Sequence, residues 1–223
     1  MREFCAFFGI AKGITALIGG GGKTSTLYAL AEYLKAQGSV IVCTSTHILI
    51  PPKFPYRARV DALLKFGEVV AVGTVEGEKL TAPQQGFEEL TKLADYVLVE
   101  ADGARQLPLK AHAPHEPVIP DGARTVLAVV GMDGLNRPIR DAAHRPERFA
   151  ALCDADTDSI ATPERIARVV MSYPRVDGVI LNKADDAAQI QAALDLAARF
   201  PCPVAVTAWQ AAHPIKAYRR NEP

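Results

Sequence analysis

Four consecutive glycines, Gly19, Gly20, Gly21 and Gly22, followed by Lys23, Thr24 and Ser25, restrict this chain more than any other stretch. The apolar run 14–18 before them reads as a strand, and residues 24–37 after them carry Leu27, Ala31 and Leu34 at helical spacing. Inside a helix or strand each glycine would cost ~1 kcal/mol relative to alanine, so four in a row argue for a loop that the chain needs. Strand, glycine run, Lys-Thr and helix form the layout of a phosphate-binding loop. Backbone N–H groups turn inward around an anion, and the helix N-terminus adds partial positive charge. In that layout Lys23 reaches the β- and γ-phosphates and the Thr24 hydroxyl takes a place on Mg²⁺. The pattern G-x-x-x-x-G-K-[ST] has glycine where this chain has Leu17, and Ile18 stands where some dimeric ATPases of this kind carry a further lysine. A glycine-rich turn that binds nothing is the alternative reading.

Strands alternate with helices along the rest of the chain, which predicts a mostly parallel α/β sheet flanked by helices. Strands are expected at 40–44, 96–99, 125–130, 176–181 and 204–207. Residues 69–72 and 78–80 read as a small hairpin at the sheet edge. Helices are expected at 83–94, with Pro83 in the first turn, at 163–172 behind a Thr162 cap, and at 186–200. With no repeat or linker, the 223 residues read as a single domain, 1–223.

Composition narrows the partners. The 25 basic and 25 acidic residues cancel, which argues against nucleic-acid binding through bulk charge. No apolar run approaches the ~20 residues of a membrane helix, and the N-terminus lacks the layout of a signal peptide. The four cysteines form no C-x-x-C pair, so reduced thiols in a cytoplasmic protein are expected.

Two further groups of residues carry chemistry. Glu100 ends an apolar strand, where its carboxylate can reach a Mg²⁺ shell, and Asp102 supplies a second carboxylate. Gly103 has no Cβ to keep a γ-phosphate from its N–H. Polar residues at an ordinary strand-to-loop junction are the plainer reading. Asn182, Lys183, Ala184 and Asp185 fit the N-K-x-D pattern of guanine recognition. A carboxylate accepts guanine's neighbouring N1–H and N2–H, the lysine stem covers the base, and the asparagine braces the loop. The alternative makes Asp185 a helix cap. His47, His112, His115 and His144 are candidate metal ligands or loop braces, and Arg137, Arg140, Arg145 and Arg148 are candidate anion contacts or solvated surface.

The glycine run with Lys23-Thr24, Thr44-Ser45-Thr46-His47, Val99-Glu100-Ala101-Asp102-Gly103, the segment 107–120 (LPLKAHAPHEPVIP), His144-Arg145-Pro146-Glu147 and Leu181-Asn182-Lys183-Ala184-Asp185 together resemble the YqeC family. The resemblance covers about 13–207. It implies an accessory protein of selenium-dependent molybdenum hydroxylases. More distantly, strand-Glu-x-x-Gly with N-K-x-D resembles metallochaperone GTPases, whose C-x-C-C type metal motif is missing here.

Taken together these features predict a P-loop NTPase fold that binds Mg²⁺ and a nucleoside triphosphate, GTP rather than ATP. Its hydrolysis would serve maturation of a client selenium or molybdenum enzyme. Gly19 to Gly22, Lys23, Thr24, Ser25, Gly103, Asn182, Lys183 and Asp185 are expected at the nucleotide, Thr24 and Glu100 at the metal, and Lys23 and Asp102 in turnover. The prolines of 107–120 suggest an order–disorder switch following Gly103. An ATPase, a small-molecule kinase with 137–148 as lid, and a non-enzymatic switch compete with this reading, and a homodimer is compatible with it.

Overall fold

Uninterrupted apolar runs become strands buried on both faces, and that rule builds most of this fold. The computed structural model describes residues 1–220 and is α/β, with a large, mostly parallel sheet flanked by helices. It divides into two compact units. The first comprises Met1–Ile18, Thr24–Gly103 and Val118–Val126; the second comprises Gly19–Lys23, Ala104–Pro117 and the chain from Leu127 onward.

In the first unit, α1 (Arg2–Phe8) precedes β1 (Gly13–Gly19), and α2 (Lys23–Leu34) leads to β2 (Val40–Thr44). Next come β3 (His47–Leu49), β4 (Tyr56–Arg57), β5 (Val69–Val72), β6 (Thr74–Glu76), β7 (Lys79–Thr81), α3 (Phe87–Leu93) and β8 (Tyr96–Glu100). β8 lies parallel between β1 and β2, β2 pairs with β5, and β5 with β4. Leu17 and Thr44 both stand opposite Glu100, so this carboxylate closes the carboxyl end of a central strand. In open parallel sheets that end is where ligands bind.

Two expectations about this unit are corrected. The hairpin is β6 with β7, joined through Gly77 at φ 62°, and β3 adds a third antiparallel strand; 69–72 instead runs parallel to β2. Four apolar residues in a row suit a buried parallel strand better than an exposed hairpin arm. α3 begins at Phe87 rather than at Pro83. The Gln85 side chain explains this: its Oε1 accepts from Val60 N and its Nε2 donates to Val60 O, both at 2.8 Å, which ties residue 85 to another segment of the chain ahead of the helix. The aromatic N-terminus forms a helix, ended by Gly9 in the left-handed region (φ 64°).

The second unit contains β9 (Leu109–Lys110) and β10 (Ala123–Gly131), whose first four residues belong to the first unit. There follow α4 (Ile139–Ala142), β11 (Ala143–His144), α5 (Pro146–Leu152), α6 (Pro163–Met171), β12 (Gly178–Asn182), α7 (Ala187–Ala197), β13 (Val204–Thr207) and β14 (Ile215–Arg219). β10, β12 and β13 run parallel, and β9 pairs with β11. β14, which sequence patterning misses, adds antiparallel to β13. Its half-buried Ile-Lys-Ala-Tyr-Arg lacks the apolar run that marks the other strands. Thr162 caps α6 as expected, accepting from Arg165 N. The predicted helix at 186–200 is α7, one to three residues shorter at its ends.

Candidate functional site

The glycine loop can be built from its own sterics. Gly19, Gly21 and Gly22 have φ of 94°, 74° and 116°, a region that residues with a Cβ rarely enter. Space is equally restrictive: a Cβ on Gly21 would lie 2.1 Å from Gly131 N, and one on Gly20 would lie 2.7 Å from Leu107 O. The Gly20 and Gly21 amides donate to Val129 O (2.9 Å) and Leu107 O (3.0 Å). Lys23 is buried, and its Nζ folds back onto Gly19 O at 2.6 Å. The loop is therefore a tight backbone turn carrying an ammonium at its centre.

The N-K-x-D residues are tied to that loop within the same unit. Asn182 Nδ2 donates to Gly21 O at 2.8 Å, and Asn182 Oδ1 accepts from Thr207 Oγ1 at 3.1 Å. The asparagine thus braces the glycine loop. Thr207, which sequence reading passed over, orients it from the end of β13; a buried threonine ending an apolar strand was the available signal. Lys183, at φ 63°, pairs its Nζ with Asp133 Oδ2 at 2.7 Å, a partner that no sequence pattern indicated. Asp185 is exposed, and its carboxylate takes no hydrogen bond among the described residues. The cap of α7 is the next residue: Asp186 Oδ1 accepts from Gln189 N at 2.8 Å, and the Gln189 side chain returns the bond in a capping box. That removes the capping alternative for Asp185.

In the first unit, Thr24 Oγ1 donates to Glu100 Oε2 at 2.9 Å. Glu100 is buried, and its carbonyl accepts from Thr44 Oγ1 (2.7 Å) and Ser45 N (3.2 Å), so the Thr44-Ser45-Thr46 turn fixes the strand end. A hydroxyl beside a buried carboxylate is a set of hard oxygen donors that fits Mg²⁺. Asp102 is fully buried, Ser25 is exposed, and a Cβ on Gly103 would meet no atom within 4 Å.

The segment 107–117 is gripped rather than loose. Lys110, whose side chain is 0% exposed, pairs with Glu116 Oε2 at 3.1 Å, and Arg145 forks onto both Glu116 oxygens at 2.5 and 3.1 Å. Burial pushes the Glu116 carboxyl up, but the hydrogen bonds from Arg145 and Lys110 outweigh it and hold it at about 2. Tyr173 donates to Lys110 O at 2.7 Å, and Arg148 Nε donates to His112 O. Arg145 and Arg148 therefore secure this segment, and Arg140 pairs with Asp158. Burial, then the charges of Arg145, Lys110 and Arg105, lower His144 to about 4. His112 packs against the Tyr173 ring (centroids 4.1 Å apart), and His47 lies 3.9 Å from Glu76. No cluster of three or more His, Cys, Asp or Glu residues suited to a metal occurs among the described residues. No helix among them is long and apolar enough to cross a membrane.

Comparison with known proteins agrees with the motifs. A family model described as YqeC protein matches residues 15–147. An uncharacterized protein YqeC of Escherichia coli (strain K12) is 34% identical over 160 residues, which cover 66% of this chain and 62% of the relative. The matched family region takes in the glycine loop, Glu100 to Gly103 and the whole gripped segment with Arg145, so the chain belongs to the YqeC family.

Proposed function

We propose that this protein binds Mg²⁺ and a nucleoside triphosphate, with GTP favoured, and hydrolyses it as an accessory factor in maturing a selenium-dependent molybdenum hydroxylase. The observation that carries the nucleotide reading is the 2.8 Å bond from Asn182 Nδ2 to Gly21 O. It joins the Asn182-Lys183-Ala184-Asp185 motif to the glycine loop across 161 positions of sequence, the proximity that a base-reading motif and a phosphate-binding loop would need to serve one nucleotide. The accessory role rests on the family resemblance.

In this reading the Gly20 to Gly22 backbone and Lys23 hold the phosphates, and Thr24 and Glu100 hold the metal. Bound Mg²⁺ would neutralise charge on the phosphate oxygens. Asp102 orients the attacking water, and Gly103, lacking a Cβ, presents its N–H to the γ-phosphate. Positioning and charge neutralisation supply the rate, since phosphoryl transfer asks little covalent chemistry of the protein.

The test is base selectivity. Adenine would leave the Asp185 carboxylate facing an acceptor, at a cost of ~1–3 kcal/mol, so GTP should bind at least about tenfold more tightly than ATP. Asp185→Asn should weaken GTP and improve xanthosine triphosphate, whose C2 carbonyl accepts the new NH₂ donor. Because Asp186 is the cap, the variant should keep its melting temperature. Equal GTP and ATP affinity in the parent, unchanged in the variant, would remove the guanine reading and leave the loop. Product analysis separates hydrolysis from kinase activity, which would yield a phosphorylated acceptor in place of free phosphate.

Two further outcomes follow. Glu100→Ala should abolish the Mg²⁺ dependence of nucleotide binding, whereas Asp102→Ala should chiefly slow turnover. The opposite pattern in a Mg²⁺ titration would exchange their roles. A phosphate drawn into the loop competes with Leu107 O for the Gly21 amide, so hydrogen exchange across 107–115 should differ between di- and triphosphate states. Identical protection in both states would make the segment fixed scaffold.

A further inference from the structure

The second unit holds a cavity of about 450 Å³ that shares no lining residue with the glycine loop. One wall is the chain from His112 to Pro117, and the other comes from α5 and the residues 172–174 that follow α6. The volume suits a small molecule. The charged side chains of its lining are Glu116 and Arg148. Glu116 is already shared between Lys110 and Arg145, so the guanidinium of Arg148 is the charge left over.

Arg148 stands apart from Arg140, Arg145, Arg168 and Arg199, each of which has a carboxylate partner. Its Nε is spent on His112 O, and its two terminal amino groups make no hydrogen bond among the described residues. Anchored at Nε, a guanidinium offers those two amino groups as a fork that matches a carboxylate or phosphate. His115, exposed in the same lining, adds an imidazole with no hydrogen bond among the described residues. Tyr173 contributes an apolar wall, because its hydroxyl is committed to Lys110 O and its ring to His112. Leu152 and Pro174 complete that wall.

We propose that this cavity is a second ligand site, taking a small organic anion with a carboxylate or phosphate on a flat apolar body, held by Arg148 and His115 against Tyr173. The anionic group meets the fork, and the body lies on the apolar wall. The site is independent of the nucleotide reading, and the two can fail separately.

Histidine imidazole NMR signals of the full chain, titrated with phenyl phosphate, benzoate and benzyl alcohol, test it. Phenyl phosphate or benzoate should move the His112 and His115 signals saturably, with a Kd of roughly 1 mM or tighter. Their ranking distinguishes phosphate from carboxylate. Benzyl alcohol should move neither signal. Arg148→Gln should weaken the better anion at least about tenfold, and Lys23→Ala should leave it unchanged. Arg148 also holds His112 O, so His115→Ala, which breaks no bond seen among the described residues, provides the second variant; it should weaken binding about threefold, read at His112. Absence of saturation at about tenfold that Kd, equal shifts with benzyl alcohol, or parent-like affinity in both variants would each overturn the proposal.

Discussion

Lys23→Ala should cost this protein its triphosphate affinity by roughly 2–5 kcal/mol, about 30-fold to several thousand-fold, when titrated by calorimetry. The size follows from where the ammonium sits. Lys23 is 4% exposed, surrounded by the turn of Gly19 to Gly22, and its Nζ rests on Gly19 O at 2.6 Å. A cation already desolvated by folding interacts strongly with an arriving phosphate, because little further hydration is lost on binding. The variant also gives up the Gly19 bond, a net loss of about 1 kcal/mol that should show as a modest drop in melting temperature. Affinity for triphosphate unchanged in a folded variant would mean that the loop does not hold the nucleotide.

Glu116→Ala should produce the largest loss of stability, about 3–5 kcal/mol in denaturant unfolding at neutral pH. Alanine would leave Lys110, whose side chain is wholly buried, and Arg145 without the carboxylate between them. The double replacement Lys110→Met with Glu116→Met should recover much of the loss, since a well-packed apolar pair can replace a buried ion pair. Acid supplies an independent measure. The Glu116 carboxyl is depressed from 4.5 to about 2 in the folded protein, so its stabilisation is complete above about 4.5 and disappears as pH falls toward about 2. The stability gap between parent and Glu116→Ala should therefore narrow over that window. A variant within about 0.5 kcal/mol of the parent at pH 7 would mean that the triad contributes nothing.

The same residues show where sequence and tertiary structure divide the work. Apolar runs such as Val40–Thr44 and Tyr96–Glu100 declare buried parallel strands, because only a strand covered on both faces can bury five consecutive side chains. The glycine run, the Thr162-Pro163 helix start and the Asn182 to Asp185 motif were likewise legible, each being a local pattern read over a few residues. A half-buried edge strand like β14 was not legible because it carries no apolar run, and the side chain of Gln85 holding 83–86 out of α3 was not because it depends on Val60, 25 positions away. The sequence offered Asp185 as a cap for α7, and only the structure gave that bond to the side chain of its neighbour Asp186. Nor does anything local in 107–120 reveal that Lys110 is buried: a lysine is ordinarily a surface residue, and its pairing with Glu116, a carboxylate held in turn by Arg145 just after β11, is a tertiary arrangement. Glycines at 19 to 22 announce a loop from sequence alone. That the loop is held by Asn182, itself oriented by Thr207, was decided by the packing of β10, β12 and β13, which sets their carboxyl ends side by side.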